Sequence, residues 1–439
     1  MLTQAENELV TRVGPGTPMG ALMRRFWHPI YKSAKLRPGG PPKRIRLLGE
    51  SYVLFRAADG RLGMFDEGCP HRRASLALAR NEECGIRCIF HGWKIDVSGE
   101  VVDVPSEPSE RERFGKKVKV RKFATREAGG LIWAFVGEGE PTQFPELPFQ
   151  HVPQDNVTIL EIPVNCNWLQ GVEGQIDSSH VSNLHSSTLK TASPGIISPS
   201  LEQTQKYFLA DRGPKFDIVN TNYGLRAAAV RNVEPNVKWV RITEWLMPYW
   251  TCIPGPDDQD FLMIGQVPND DTHTTQWYVL HNFFHVIDEN SQGHGFQSML
   301  EYDGASFGRI ANADNLWTQD RDLIDRGHWS GLKNILHEDI AIAESQGEIA
   351  DRSREYLGQS DAAITRCRRL LIEATRDLQA GKTPRCLGGD VDYRSIYGRQ
   401  AAYPADGNWS DASDRVQPHL QKSSDIRPRI GAGHPAGTA

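Results

Sequence analysis

The sequence predicts an α+β protein of two domains, on three observations. Residues from about Arg44 to Gly139 alternate in short β-prone runs broken by Gly- and Cys-rich loops. The second half groups its strand patterns first and its helical patterns afterwards, the order of an antiparallel sheet with helices packed on it. The length, 439 residues, exceeds one ordinary core. Four segments result: a helical N-terminal segment 1–26, a β-rich domain 27–150, a second domain 151–402 and a flexible C-terminal tail 403–439.

Each element has its own signal. The N-terminal stretch carries a short amphipathic pattern, a Gly16-Thr17-Pro18 turn and a helical run ending near Trp27. In SYVLFRAADGRLGMF, alternating residues flank Asp59-Gly60, a hairpin signal. Residues 140–155 are rich in proline and polar side chains and read as a linker. VTILEIPVNC (157–166) reads as a strand, Trp168 to His185 as a helix and 192–215 as a long loop. Strands follow in YGLRAAAV, VKWVRITEWL, FLMIGQV and TQWYVLHNFF, then helices near 315–327, 336–346 and 360–380. From Tyr403 onward Gly, Pro, Asp and Ser dominate, which predicts a loosely packed or disordered tail.

Composition narrows the function. A net charge of -5 argues against a nucleic-acid partner. No apolar run approaches the roughly 20 residues that span a bilayer, so no membrane partner is expected. The opening MLTQAENELVTRVGPG lacks the basic and apolar regions of a secretory signal, and a cytoplasmic location is expected. In that compartment the seven cysteines read as thiols or metal ligands. Cys166, Cys252, Cys367 and Cys386 are scattered and read as plain thiols.

The strongest motif is Cys69-Pro-His71, sixteen residues, then Cys88-Ile-Phe-His91. Two loops that each pair one Cys with one His suit a [2Fe–2S] cluster with two thiolates on one iron and two imidazoles on the other. Gly68, Pro70 and Gly92 supply tight turns close to the metal. Zinc is the rival ion, but zinc fingers of this composition usually pair Cys with Cys and His with His. Cys84 has no histidine at the right offset and reads as a bystander.

A second constellation lies in NWLQGVEGQIDSSHVSNLH. Glu173, Asp177 and His180 fall at i, i+4 and i+7, one face of a helix. His185 lies five residues on, about 140° round an ideal helix, and joins His180 at one metal only if the helix bends or loosens. Downstream, HEDIAIAESQG offers Asp339, with Glu344 five residues later and Glu338 as a rival third ligand. Two histidines and one carboxylate with open positions form the ligand set of non-heme Fe(II) oxygenases. His281 and His285, in YVLHNFFHV, lack a carboxylate partner and read as core or pocket-lining residues.

Together, Cys-x-His, Cys-x-x-His and Asp-x2-His-x4-His resemble the α subunits of Rieske aromatic-ring-hydroxylating oxygenases. The resemblance runs from about Arg12 to about Cys386. RVGPGTPMGALMRRFWHP, NWLQGVEGQIDSSH and EDIAIAESQG look most like the phthalate dioxygenase group. It implies a β-rich Rieske domain joined to a helix-grip catalytic domain, whose curved antiparallel sheet folds over a long helix. It implies Cys69, His71, Cys88 and His91 as [2Fe–2S] ligands, and His180, His185 and Asp339 as ligands of a mononuclear non-heme Fe(II). Asp177 then corresponds to the acid bridging an iron ligand to a cluster histidine of the neighbouring subunit.

The resemblance also implies a homotrimer, or two stacked trimers as a hexamer, and a separate NAD(P)H-dependent flavin/iron–sulfur reductase. The chain shows no GxGxxG loop in a βαβ setting with which to take hydride itself. The implied reaction is insertion of O2 into an aromatic carboxylate, phthalate or a substituted benzoate such as chlorobenzoate, to give a cis-dihydrodiol. The alternative is monooxygenation or O-demethylation of a related aromatic acid or ether. A substrate carboxylate calls for arginine, and Arg226, Arg231 and Arg241 lie on strand patterns. Ser179 is a candidate hydroxyl donor, and Asn282 and Phe284 are candidate pocket-lining residues.

Overall fold

A computed structural model of the chain describes residues 1–191, 199–255, 260–283, 286–287, 310–389 and 391–415. Phe284 and His285 lie outside the described residues, as does the tail beyond 415.

Helix α1 (Gln4–Thr11) starts at a capping box. The Thr3 hydroxyl accepts from Glu6 N, and the Glu6 carboxylate accepts from Thr3 N. Helix α2 (Pro18–Met23) has proline in its first turn and Thr17 as its cap. Gly20 is required there, because a Cβ would lie 2.4 Å from the Val13 carbonyl oxygen.

The first domain holds three small antiparallel sheets. One joins β1 (Trp27–Lys32), β9 (Ala124–Ala128) and β10 (Leu131–Phe135); another joins β2 (Lys43–Leu47), β3 (Glu50–Arg56) and β4 (Leu62–Asp66). The third is a meander of β5 (Arg80–Glu82), β6 (Gly85–Arg87), β7 (Lys94–Asp96) and β8 (Val101–Asp103), followed by the short helix α3 (Arg111–Gly115). The two motif loops sit on either side of β5 and β6 and share a core with Val53, Phe55, Phe65, Ile86 and Ile95.

The second domain is built on an eight-stranded antiparallel sheet. Its strands are β11 (Val157–Val164), β12 (Lys215–Asn220), β13 (Gly224–Glu234), β14 (Val237–Leu246), β15 (Trp250–Pro254), β16 (Asp260–Pro268), β17 (Thr274–Asn282) and β18 (Arg399–Pro404). Their order is β11-β17-β16-β15-β14-β13-β12, with β18 also paired to β14. The helices are α4 (Trp168–Ile176), α5 (Ser186–Thr191), α6 (Pro199–Ala210), α7 (Arg321–Asp325), α8 (Ile335–Ser345), α9 (Ala362–Gln379) and α10 (Trp409–Arg415).

Alternation along the strands separates two faces of this sheet. One face carries α4 and α8: Thr251 bonds Gln175 of α4, and Tyr278 and Ile264 pack on Leu336 and Ile340 of α8. The other face meets the first domain, where Trp277 Nε1 donates to the Pro29 carbonyl at 3.1 Å. Among the described residues, no helix is long and apolar enough to cross a membrane.

Two expectations fail here. The stretch read as a loop over 192–215 contains α6 and the start of β12. The tail expected from residue 403 instead begins with the end of β18, in register with β14, and continues into α10. Tyr403 is buried against Ala228 and Ile242, and Trp409 Nε1 donates to Asp217 at 3.0 Å. Those few apolar contacts outweigh a composition that favours disorder.

Candidate metal centres

Helix α4 is capped by Asn167 and stops at Ile176, because Asp177 takes extended backbone angles (φ −83°, ψ 100°). Asp177 Oδ1 accepts from Ser179 N at 2.7 Å, which turns the chain into a 3-10 turn over His180–Ser182. The single helix expected over Trp168 to His185 is therefore broken. The break brings His180 Nε2 within 3.2 Å of His185 Nε2. Asp339, at the start of the second turn of α8, places Oδ1 at 3.0 Å from His185 Nε2 and 3.6 Å from His180 Nε2. Among the described residues, this triad is the set whose three ligand atoms lie within 4.8 Å of one another. Bonds of about 2.1 Å at right angles put neighbouring donors about 3 Å apart, so the triad fits one face of a metal's coordination shell.

The electrostatics of the triad fit a cation. Burial pulls the His180 pKa down, but the carboxylates of Asp177 and Asp339 close to its ring carry it up, to about 10. Burial acts to raise Asp339, yet the two imidazoles hold it well below the usual carboxylate range. Three ligand atoms converge on one point, and a divalent cation bound there would take the place of protons on these groups. His180, Asp339 and Asp177 line a groove of about 450 Å³ with Leu184, Gln266 and Gln276.

Glu338, the rival third ligand, turns away from this point. Its Oε2 lies 2.7 Å from His185 Nδ1, on the far side of the ring. Glu344 accepts from Asn165 N and Trp317 Nε1 and holds loops. Glu173 sits on another face of α4, where Arg352 and Arg368 enclose it. Burial alone would raise its pKa, but the two arginines hold it below the ordinary value.

In the first domain, Cys69 and Cys88 are buried, and their side chains interact. The His71 and His91 rings lie edge to face at 4.5 Å, and His71 stacks on Trp93 at 4.7 Å. The Arg73 N to Cys69 O and Gly92 N to Cys88 O bonds close the two loops, with Gly92 at φ +77°. The four residues thus divide into a sulfur pair and a nitrogen pair. No three of their ligand atoms meet within 4.8 Å, which disfavours a single tetrahedral zinc and suits a two-iron cluster. His91 Nδ1 is buried without a hydrogen-bond partner, as a ligand atom awaiting metal would be. Cys84 lies outside this pairing, half-buried.

Comparison with known proteins decides the family. Residues 26–124 match the family described as Rieske [2Fe-2S] domain, and 134–419 match that described as LigXa C-terminal domain like. The chain is 38% identical to the phthalate 4,5-dioxygenase oxygenase subunit of Pseudomonas putida, over 94% of this chain and 95% of that one. The chain belongs to the Rieske-type aromatic-ring oxygenases, as an oxygenase subunit. It is also 34% identical to the 3-chlorobenzoate-3,4-dioxygenase oxygenase subunit of Comamonas testosteroni, over 87% and 91% of the two chains. The fold of this Rieske oxygenase matches the solved oxygenase of a carbazole 1,9a-dioxygenase ferredoxin complex, with a TM-score of 0.54 and 19% identity over 90% and 100%.

The three arginines separate sharply. Arg226 lies on the sheet face away from α4, paired with Glu244 at 2.6 Å. It does not reach the site. Arg231 faces α4, but its donors are taken by the Ser178 and Asp211 carbonyls and the Ser178 and Ser182 hydroxyls. Both assignments as substrate-binding residues are corrected on these contacts. Arg241 shares the Arg231 face, lies over the Phe208 ring at 5.4 Å and makes no hydrogen bond or ion pair among the described residues. Burial, then the neighbouring Arg231, pushes its pKa down to about 9, so it stays charged at neutral pH. Tyr278 is within electrostatic reach of both Arg241 and Asp339.

Ser179 Oγ is buried beside His180 without a hydrogen-bond partner. Asn282 is buried at the end of β17. His281 points to the opposite face, among Phe149, Phe261 and Phe283, and burial pushes its pKa down to about 3. Sequence reasoning gave no role to Thr188 and Ser330, both bonded to Glu338. Their partners are over a hundred residues apart or across a loop, so no local spacing signals them.

Proposed function

We propose that this Rieske oxygenase dihydroxylates an aromatic carboxylate, phthalate or a substituted benzoate, to a cis-dihydrodiol. The observation that carries the reading is the convergence of His180, His185 and Asp339 on one point, with Arg241, unpaired among the described residues, on the sheet face that carries α4 and α8. Cys69, His71, Cys88 and His91 would hold the [2Fe–2S] cluster, and His180, His185 and Asp339 the mononuclear Fe(II). When bound, these groups would supply one-electron transfer and dioxygen activation.

The protein's own residues position and select. Asp177 Oδ2 lies 3.7 Å from His180 Nδ1, an ion-pair distance at which its charge favours a proton on that nitrogen. Its carboxylate would also accept from His71 or His91 of a second copy, orienting both rings. That role requires a homotrimer, or two stacked trimers, in which one protomer's first domain meets the next protomer's second domain. Arg241 would pair bidentately with the substrate carboxylate, and the Ser179 hydroxyl would donate to it or to oxygen. Electrons would come from a separate NAD(P)H-dependent flavin/iron–sulfur reductase in the cytoplasm.

The test is turnover of phthalates and substituted benzoates with a surrogate reductase under labelled dioxygen. About three irons per chain and a diol carrying two labelled oxygens are expected. One labelled oxygen, or loss of a methyl group, would move the reaction to monooxygenation or O-demethylation. A colourless protein would remove the cluster.

A further inference from the structure

We infer that Glu338 is a positioning residue for the ferrous site, fixing the His185 ring so that Nε2 alone faces the ion. The inference rests on the reading of His180, His185 and Asp339 as the metal ligands.

Glu338 is fully buried, at 0% exposure. Its Oε2 accepts from His185 Nδ1 at 2.7 Å and from Thr188 Oγ1 at 3.3 Å, and its Oε1 accepts from Ser330 Oγ at 2.5 Å. A carboxylate only accepts, so Nδ1 must carry the ring proton and Nε2 must offer its lone pair. That Nε2 is the atom next to Asp339 and His180. Consecutive residues on a helix project about 100° apart, which lets Asp339 address one side of the ring system while Glu338 holds the other.

The charge balance gives the contact more weight than an ordinary hydrogen bond. The chain compensates the buried carboxylates of Glu173 and Glu338 in different ways. Glu173 is enclosed by two arginines. Glu338 has no lysine or arginine partner among the described residues, and the His185 ring is its one ion-pair-distance contact there. A buried carboxylate is costly unless positive charge compensates it. Through the imidazole, that compensation would come from the cation on Nε2. Iron and Glu338 therefore stabilise one another, and a carboxylate behind a metal-bound histidine raises ligand basicity.

The supporting contacts come from separate elements. Thr188 lies on α5, and Ser330 lies in the loop before α8. Ser330 Oγ itself accepts from Leu332 N, and Trp329 N donates to Ser187 Oγ at 2.7 Å. Glu338 thereby pins that loop and α5 around His185.

The experiment is anaerobic equilibrium titration with Fe(II) of the full-length protein stripped of its mononuclear ion but retaining the cluster, with visible absorbance of the Rieske cluster as the check on folding. Glu338→Gln keeps the shape and removes the charge. Its ferrous affinity is expected to fall about 10–100-fold with the cluster spectrum unchanged. Glu338→Asp keeps the charge but withdraws the oxygen from His185. A severalfold loss is expected, and it carries the test should the glutamine variant not fold. His185→Ala is the reference and is expected to abolish tight binding. If His185→Ala abolishes binding while both Glu338 variants bind like the parent, the positioning role is overturned and the metal-site reading stands. If His185→Ala itself binds like the parent, the metal-site reading falls and the inference with it.

Discussion

Arg231 Nη2 donates to the Ser178 carbonyl at 2.6 Å, two residues before His180. The guanidinium is completely buried, lies near the faces of Phe208 and Trp239, and also donates to the Asp211 carbonyl. It clamps the broken end of α4 to the sheet. The turn carrying Asp177 and His180 is a single short 3-10 turn, closed by Asn183 N and Leu184 N on the His180 carbonyl, so the clamp to the sheet helps set where His180 points. Arg231→Lys is expected to cost about 1–3 kcal/mol, since one ammonium cannot replace a planar fork and leaves carbonyls unpaired. Denaturant unfolding measures the cost, and the ratio of iron to acid-labile sulfide measures release of the mononuclear ion. Unchanged stability together with an unchanged ratio would remove the clamp.

Asp177 is the end point of that clamp. Asp177→Asn preserves shape and can still accept at one oxygen from Ser179 N. It loses the charge that holds the proton on His180 Nδ1. Metal content and the cluster spectrum are expected to match the parent, while product formation falls roughly 10–100-fold or more. Full turnover in this variant would remove the bridging assignment.

Arg241 is the cation left over once every other strand arginine on that face is accounted for. Its charge waits in a half-buried site beside Phe208, with Tyr278 near both it and Asp339. Arg241→Gln is expected to raise KM for an aromatic carboxylate about 10–100-fold, the worth of a charge-assisted pair, with a smaller change in kcat. The same variant is expected to lose little on an aromatic amide of the same shape. Equal losses on acid and amide would assign Arg241 to structure.

Some of this was legible in residue order and some was not. The Cys-His loops were legible because a tight turn fixes its ligands within three or four positions. His180 and His185 were legible as a pair only on condition that a helix broke, and the extended Asp177 supplies that break. Glu173 misled because its spacing to Asp177 and His180 assumed a continuous helix. Arg226 and Arg231 misled for a different reason. A strand pattern shows which residues share a face, but not which face meets the helices or which donors already have acceptors. The β18 pairing was invisible because its partner strand lies some 160 residues earlier in the chain.

The seam between the domains makes a prediction that concerns neither metal. His28 is fully buried, and its Nε2 donates to the Met23 carbonyl at 3.0 Å. Nδ1 is then the acceptor, and it receives the Tyr249 hydroxyl at 2.8 Å. Burial above all pushes the His28 pKa down, to about 4. In the unfolded chain the same ring titrates near the ordinary value of about 6.5. Between those values the unfolded chain binds a proton that the native protein excludes, so stability rises with pH across the window. Its contribution is complete above about pH 6.5 and is lost progressively as pH falls toward about 4, a span worth about 3 kcal/mol. Carboxylates titrate there too, so the difference between the parent and His28→Gln isolates this group. Denaturant unfolding at several pH values should show the parent losing stability more steeply on acidification than the variant. Parallel curves would mean that the His28 ring is already solvated in the native state.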